Sequence, residues 1–331
     1  MSFEDGTISE VTLDRIRAAA TYMGLPVVEA ENSVVVPAET HVTVITVQEE
    51  SPRTLSFTSR ARHSAALADI AELAQLCNEW NHDRLGPTAT LVVGDDGSVE
   101  VVARVSVLVV DGLSDAQVLD HMQLYESTSK LFFRELSNAR PEFSDLSPDQ
   151  RETQDQDAAK RSIGHRQHRG VEDSVLRNAV QQEEDTVESS IKPVTLDRIL
   201  TSLESLGITR VQRDPEGLMA WINGIAFGFF VDNGPSFLVK GHWDPGLDPE
   251  NDALRIFLLC NDLNCEKPLL KAYTHTDDDG LQVRIEYTAS VVQGLNDDQL
   301  DSHVMHALNL ILHALDDISR DATGSSAVDW P

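Results

Sequence analysis

The sequence predicts an α+β protein built from two tandem copies of one unit, each an antiparallel sheet flanked by helices in the order α-ββββ-α-ββ-α. Three segments recur at one spacing of 183 positions: residues 77–81 (CNEWN) return as 260–264 (CNDLN), 11–16 (VTLDRI) as 194–199, and 95–97 (DDG) as 278–280. A fourth pair, 112–117 and 294–299, is spaced by 182 positions, so one residue is lost in the strand before it. Repetition in one register indicates a duplicated fold.

The repeats set the predicted domain boundaries at residues 11–137 and 194–319. Residues 138–193 show no sustained apolar pattern and many Gln, Asp, Glu, Arg and Ser residues, which predicts a polar, mostly disordered linker. The ends of the chain, residues 1–10 and 320–331, are also expected to be disordered. A short amphipathic helix in the linker would align four apolar side chains: Val171, Val175, Ala179 and Val180. Isolated short helices are marginal in water, so a disordered tether is favoured there.

The first half of each unit is predicted as a helix followed by four strands. Thr12 is an N-cap residue type, and Gly24 supplies the left-handed position that ends the first helix, as Gly207 does in its twin. Runs rich in Val, Ile and Thr predict strands in the first copy at 26–29, 33–36, 41–47 and 53–58. In the second copy, Asn223-Gly224 lies between two apolar runs and predicts a tight hairpin. The strands there are expected at 218–222, 225–230 and 236–240.

The second half of each unit is predicted as helix, hairpin, helix. The second helix is expected over residues 64–82, and its twin begins at Asp248-Pro249, an N-cap followed by the first helical position. The hairpins pair 88–93 with 99–109 and 269–275 with 281–292. The last helix of copy one opens with the capping-box residues Ser114 and Gln117, a pattern that Asn296 and Gln299 approximate in copy two.

Composition limits the classes of partner. Acidic residues outnumber basic ones by 55 to 26, and a formal charge of −29 repels nucleic acid and anionic membrane surfaces. Three cysteines cannot form a closed disulfide framework, and Cys77 and Cys260 occupy equivalent positions, so both are predicted to be reduced core residues. The sequence has no secretory leader pattern and no apolar run long enough to span a bilayer, which favours a cytoplasmic protein.

The order of elements, the Asn-x-x-Asn pairs of the second helices and the Gly-Leu-[Ser/Asn]-Asp segment before each last helix resemble the YbjN domain of bacterial sensory transduction regulators. The resemblance covers both repeats and leaves out the linker and the ends. It implies a fold like that of the type III secretion chaperones. It also implies a non-enzymatic protein-binding or chaperone-like adaptor or regulator of unknown client, and it carries over no catalytic residue and no cofactor.

Five residues form the candidate protein-binding site or structural joint: Asn78, Trp80, Asn81, Asn261 and Asn264. Each asparagine pair stands at positions i and i+3 near the end of a helix, so its amides are neighbours. They could present amides to a peptide or ligand. Alternatively, they could bond local backbone as a structural joint, which their reuse in both copies favours. Copy two has Leu263 in place of Trp80, so the two units need not bind the same partner.

A second group of candidate residues lies on the last helix: His303, His306, His313 and Asp317. At 100° per residue they share an arc that excludes the apolar face, so a stripe away from the core is expected. Such side chains could bind Zn²⁺ or Ni²⁺, but only His303 and His306 are adjacent, and no thiolate completes a tetrahedral set. No metal site is therefore predicted. The stripe is the one feature that supports the alternative function, a small-molecule- or metal-responsive regulator.

Motifs for other chemistry are missing from the sequence. It has no Gly-rich phosphate loop, no Gly-x-Ser-x-Gly and no Cys-x-x-Cys. Residues 277–280 (DDDG) resemble a calcium loop only in their acidity and are predicted to be a turn. Cys77 near His82 is a weak nucleophile pair, because copy two keeps the cysteine and has no histidine at the matching position. The sequence therefore predicts no enzyme.

The duplication raises the question of whether the two units contact each other. The secretion chaperones that the fold resembles generally act as dimers of one such unit. A flexible linker of more than 50 residues spans roughly 40 Å, enough to bring two small domains together at high effective concentration. An intramolecular pseudo-dimer is slightly favoured over two units that bind separate partners.

Overall fold

Each of the two repeats contains one six-stranded antiparallel sheet flanked by helices, as the sequence predicts. The computed structural model describes residues 6–49, 51–144, 148–161, 190–232, 235–277 and 280–331. Val171, Val175, Ala179 and Val180 lie outside the described residues, as do Asp278 and Asp279 of the predicted acidic turn. No helix in these described ranges combines the length and apolar character that crossing a membrane requires.

The described residues of the first repeat form three helices, six strands and one short 3-10 turn, and a second 3-10 turn lies just after the repeat. Its helices are α1 (Leu13–Tyr22), α2 (Ile70–Asp83) and α3 (Asp115–Ala139). Its strands are β1 (Val28–Glu29), β2 (Val34–Pro37), β3 (His41–Gln48), β4 (Thr54–Ala66), β5 (Thr88–Val93) and β6 (Ser98–Leu108). The 3-10 turns are Leu67–Asp69 and Pro141–Phe143. A further helix, α4 (Pro148–Arg161), follows in the segment that joins the repeats.

The second repeat has the same order of elements. Its helices are α5 (Leu196–Ser205), α6 (Pro249–Glu266) and α7 (Asp297–Thr323). Its strands are β7 (Val211–Arg213), β8 (Gly217–Ile222), β9 (Ile225–Asp232), β10 (Ser236–Leu247), β11 (Leu270–Asp277) and β12 (Gly280–Ser290).

The strand order places the penultimate strand of each repeat at a sheet edge. The orders are β1-β2-β3-β4-β6-β5 and β7-β8-β9-β10-β12-β11, and all neighbours are antiparallel. One face of each sheet carries the apolar core. In repeat one, Ile16 of α1 and Tyr125 of α3 pack with Phe57 of β4. In repeat two, Ile199 of α5 and Leu308 of α7 pack in one cluster with Phe229 of β9.

Local signals for helix ends and hairpins are confirmed. Gly24 has a φ of +68° after α1, and Asn223 and Gly224 have φ values of +49° and +81°, as the tight turn between β8 and β9 requires. Ser114 and Asn296 both form complete capping boxes with the glutamine three residues later. Asp248 caps α6, and its side chain accepts a hydrogen bond from the Glu250 amide.

The predicted start of the second helix at residue 64 is wrong. Strand β4 continues past an irregularity between Arg60 and Ser64 and pairs Ser64 to Ala66 with β6, so α2 begins only at Ile70. Ala65 and Ala66 favour a helix by local propensity. Here the pairing with β6 decides the conformation, because strand preferences depend on tertiary context.

Parts of three segments predicted to be disordered have defined structure. In the linker, Phe143 is 1% exposed, and Asp155 of α4 forms an ion pair with Arg62 at 2.8 Å. At the C-terminus, α7 continues to Thr323, and Val328 is 5% exposed in the core of repeat two. Near the N-terminus, Ser9 forms an antiparallel bridge with Leu113. The described parts of these segments carry few buried apolar side chains, such as Phe143 and Val328, too few to produce a periodic pattern.

Candidate functional site at the joint between the repeats

The second asparagine of each motif binds the edge strand of its own repeat. The Asn81 amide donates to the Ala89 carbonyl at 2.9 Å and accepts from the Ala89 N–H at 2.8 Å. Asn264 makes the same pair of bonds to Ala272, at 2.8 and 2.6 Å. Both asparagines are nearly fully buried. Each one fixes the end of its helix against the edge strand that follows it in the chain.

The first asparagine of each motif binds the edge strand of the other repeat. Asn78 donates to the Thr274 carbonyl and accepts from the Thr274 N–H, both at 2.9 Å. Asn261 donates to the Leu91 carbonyl at 2.9 Å and accepts from the Leu91 N–H at 2.7 Å. Leu91 and Thr274 are equivalent positions in β5 and β11. The four bonds therefore form a reciprocal, two-fold-like contact, in which α2 contacts β11 and α6 contacts β5.

These side-chain amides form hydrogen bonds with the backbone groups that a sheet edge leaves unpaired. Leu91 lies opposite Val101 in the pairing of β5 with β6, while its own N–H and carbonyl bond Asn261. An unpaired edge strand is a template for unwanted pairing, and buried backbone groups without partners are costly. An asparagine amide offers one donor and one acceptor, as a neighbouring strand would. The motif therefore closes two edges at once.

A second reciprocal contact lies at the start of the last helices. Gln117 accepts from the Ser114 N–H through Oε1 and donates through Nε2 to the Gly294 carbonyl of repeat two at 2.8 Å. Gln299 accepts from the Asn296 N–H in the same way and donates to the Gly112 carbonyl at 2.9 Å. The two glutamines also bond each other, at 3.1 and 3.2 Å. Each capping glutamine is therefore also a contact between the repeats.

A cationic side chain of each sheet contacts the C-terminal end of a helix in the other repeat. Arg104 of β6 donates to the Cys265 carbonyl in α6 at 2.8 Å, and Lys271 of β11 donates to the Arg84 carbonyl after α2. The C-terminal carbonyls of a helix carry partial negative charge, so both contacts are favourable. Lys271 is 4% exposed and is neutralised by Glu286 at 2.7 Å. Burial opposes the charge and lowers the pKa of Lys271, while the ion pairs lower the pKa of Glu286 against its own burial.

Apolar and aromatic contacts complete the joint. Phe257 of α6 lies in the apolar cluster of repeat one that contains Cys77. The rings of His82 and His275 stack across the repeats with centroids 4.8 Å apart. Trp80 is buried, and its indole N–H donates to the Pro87 carbonyl at 2.8 Å, so its polar atom is used within repeat one. Leu263 stands at the matching position of repeat two and is also buried.

Cys77 and Cys260, which occupy equivalent positions in the two repeats, are buried free thiols, as predicted. Burial raises the pKa of the Cys77 thiol and of the Cys260 thiol to about 12 in both cases. A thiol of this kind is rarely ionised at neutral pH and is a poor nucleophile. His82 bonds Asp83 rather than Cys77.

The predicted histidine stripe away from the core is wrong at His303. This residue is 4% exposed, its Nδ1 lies 2.5 Å from the Tyr287 hydroxyl, and burial lowers the pKa of His303 to about 3. The periodicity of α7 identifies its face toward the sheet. The buried face of α7 is wider than its stripe of large apolar residues and includes His303 beside Leu300 and Ala307, with Tyr287 of the core as its polar partner.

The other residues of that group have separate surroundings. His306 Nδ1 lies 2.8 Å from the Ser302 carbonyl, the His313 ring lies 4.9 Å from the Trp330 ring, and Asp317 faces Lys267 at 3.8 Å. Within the described residues, no group of three or more His, Cys, Asp or Glu side chains converges in a way that could hold a metal ion.

Sequence reasoning missed that further polar side chains cross the joint, among them Gln117, Gln299, Arg104 and Lys271. A signal existed only for the glutamines, because both copies use the same residue at the third helical position. Arg104 and Lys271 do not occupy equivalent positions, so comparison of the copies could not reveal their common role.

The fold and its joint define a duplicated α+β protein in which the two copies share their edge-closing residues. The sequence profile of the YbjN family, described as "putative bacterial sensory transduction regulator", matches residues 12–138 and 195–319. The chain belongs to the YbjN family and carries two copies of its domain. It is similar to the crystal structure of YbjN, a "putative transcription regulator" from E. coli, with 17% identity and a TM-score of 0.35 over 41% of this chain and 98% of that chain. Comparison with curated proteins finds no significant match.

Proposed function

We propose that this protein is a non-enzymatic protein-binding adaptor of the regulator family, in which the two repeats act together as an intramolecular pseudo-dimer. The observation that carries the proposal is the reciprocal pair of bonds from Asn78 to Thr274 and from Asn261 to Leu91. A symmetric contact between equivalent positions is the arrangement of a two-fold dimer interface. The resemblance to secretion chaperones, which generally act as dimers, supports the same view.

The polar groups at the joint support binding rather than catalysis. The four asparagine amides are engaged by backbone groups of the chain itself, and the two equivalent cysteines are buried thiols. A nucleophile needs a base within hydrogen-bond reach, and Cys77 has no such bond to His82. The role that remains for these residues is to hold two domains in one orientation, and thereby to fix the surface that both present to a partner.

The test is affinity capture with the full chain and with a joint variant, Asn78→Ala combined with Asn261→Ala. The expected result is a protein retained in stoichiometric amount by the native chain and retained less by the variant, because the variant loses both asparagine contacts between the repeats without altering their outer surfaces. The control is Asn81→Ala, which removes only bonds inside repeat one. Equal capture by the native chain and by a joint variant whose repeats have separated in small-angle scattering would show that the pseudo-dimer is not the binding form.

The alternative function, a small-molecule- or metal-responsive regulator, depends on the histidines of α7. In the structure His303 and His306 bond different partners, Tyr287 and Ser302. A thermal shift with Zn²⁺ or Ni²⁺ that disappears in His306→Ala would favour this alternative.

A further inference from the structure

The outer face of the second sheet, away from its apolar core, exposes two large apolar side chains. Leu218 and Ala220 of β8 face the core and are buried, whereas Met219 and Trp221 alternate with them and are 38% and 77% exposed. Adjacent residues of a strand point to opposite faces of the sheet. Met219 and Trp221 therefore stand side by side on the outer face.

The apolar surface formed by these two side chains continues onto Phe230 of the neighbouring strand β9. The ring of Phe230 occupies the space that a Cβ at Gly217 or Gly228 would need, since either atom would lie 2.7 Å from the ring. The two glycines thus allow the ring to lie flat on the sheet. A shallow depression of about 440 Å³ adjoins Met219 and Trp221 on the side of Arg210. We call Met219, Trp221 and Phe230 the outer apolar floor.

Repeat one covers the matching position with a helix. Val35 of β2 pairs with Val44 of β3, just as Met219 of β8 pairs with Gly228 of β9, in each case one strand in from the sheet edge. Helix α4 packs against β1, β2 and β3, and Val35, which points away from the core cluster, is 0% exposed. In repeat two the chain after α7 takes another course, and Asp329 bonds the backbone of the turn between β8 and β9. Within the described parts of the chain, Met219 and Trp221 on the equivalent face stay exposed.

Charge around the floor indicates the sign of a ligand. Arg210 is exposed beside the depression. Lys240 lies on the same face, in the row of paired residues that begins at Met219, and Arg284 lies in the row that begins at Trp221. Glu286 pairs with Lys240 at 2.8 Å and is itself buried. The cations Arg210, Lys240 and Arg284 outnumber the carboxylates of this face, which are Asp232 beside Phe230 and the buried Glu286. In a chain with a formal charge of −29, such a surface favours an acidic ligand.

We infer that the outer apolar floor of repeat two is a docking site for an acidic amphipathic helix of a partner protein. The helix takes the place that α4 takes on repeat one. It brings apolar side chains at i, i+3 or i+4 and i+7 onto Trp221, Met219 and Phe230, and carboxylates toward Arg210 and the cations of the next strands. A partly exposed tryptophan with an apolar neighbourhood is a frequent energetic centre of such interfaces. This inference rests on the proposed adaptor function and names the chemistry of its partner.

The test is a selection from a displayed library of random peptides of about 16 residues, long enough for four helical turns. The full chain is the bait, and Trp221→Ala is the counter-selection. We expect enriched peptides with helical apolar spacing and net negative charge. Synthetic versions should bind Trp221→Ala and Arg210→Glu at least about tenfold more weakly than the native chain. Tyr22→Ala is the matched control, because Tyr22 is 64% exposed on repeat one and lies outside the floor.

Other outcomes overturn the inference. Peptides that bind the native chain and Trp221→Ala equally, peptides with alternating or basic patterns, and a selection that yields no Trp221-dependent sequence all contradict an acidic helix at this site. Concentration-dependent dimerisation that Trp221→Ala abolishes would identify a second copy of the chain as the occupant instead. Small-angle scattering of the same variants reports the contact between the repeats separately, so failure of the docking site is distinguishable from failure of the pseudo-dimer.

Discussion

Asn261→Ala is expected to weaken an edge strand that lies in the other repeat. The change removes the side-chain acceptor that binds the Leu91 N–H and the side-chain donor that binds the Leu91 carbonyl. The asparagine is 5% exposed at this site. Leaving a buried polar group without a partner costs about 1–3 kcal/mol. Since about 1.4 kcal/mol corresponds to a factor of ten, exchange of the Leu91 amide hydrogen should become about 5- to 150-fold faster.

Hydrogen exchange followed by mass spectrometry measures this effect on peptides that cover β5 and β11. Asn264→Ala is the matched control, because its bonds go to Ala272 of β11 in its own repeat. We expect Asn261→Ala to speed exchange in β5, and Asn264→Ala to speed exchange in β11. Unchanged exchange in β5 of the Asn261→Ala protein would refute the assignment of this asparagine to the edge of repeat one.

Three further predictions concern the joint and its surroundings. Gln117→Ala and Gln299→Ala should show a coupling of about 0.5–3 kcal/mol in a double-mutant cycle of urea unfolding, because they bond each other, and additive effects would contradict that. Glu286→Ala should cost about 3–5 kcal/mol, since it leaves Lys271 as a buried charge without its carboxylate; a change in the urea midpoint near zero would argue against this ion pair. The pKa of His303 is about 3 in the folded protein against its ordinary 6.5, so the folded state favours the neutral ring. Its contribution is complete above about pH 6.5 and is lost as pH falls toward 3, at up to about 1.4 kcal/mol per pH unit, and His303→Gln should flatten the fall in melting temperature over that range.

Much of the fold could be predicted because the two copies repeat the same local signals. The turn at Asn223-Gly224 and the caps at Ser114 and Asn296 depend on neighbours in sequence, which a reader of the chain can see. Pairing between distant strands is not visible in this way. The continuation of β4 through Ala66 and the packing of α4 on sheet one are both decided by such contacts.

The candidate site was predictable in its residues and less so in its geometry. The recurrence of the Asn-x-x-Asn motif singled out the four asparagines. Which of them bind their own repeat and which bind the other repeat is visible only in the structure. Asn81 and Asn264 bind their own repeats, whereas Asn78 and Asn261 reach across. The burial of His303 was missed because the stripe of large apolar residues marks only part of the buried face of α7, and the polar partner Tyr287 lies on a strand that is separate in sequence.

Small-angle X-ray scattering of the full chain in solution tests most directly whether the repeats work as one docked pair. The pseudo-dimer predicts a compact core with a single, fixed separation between the two repeats. It also predicts that Asn78→Ala combined with Asn261→Ala broadens the distribution of separations. A broad distribution already in the native chain, unchanged by the double substitution, would contradict the pseudo-dimer.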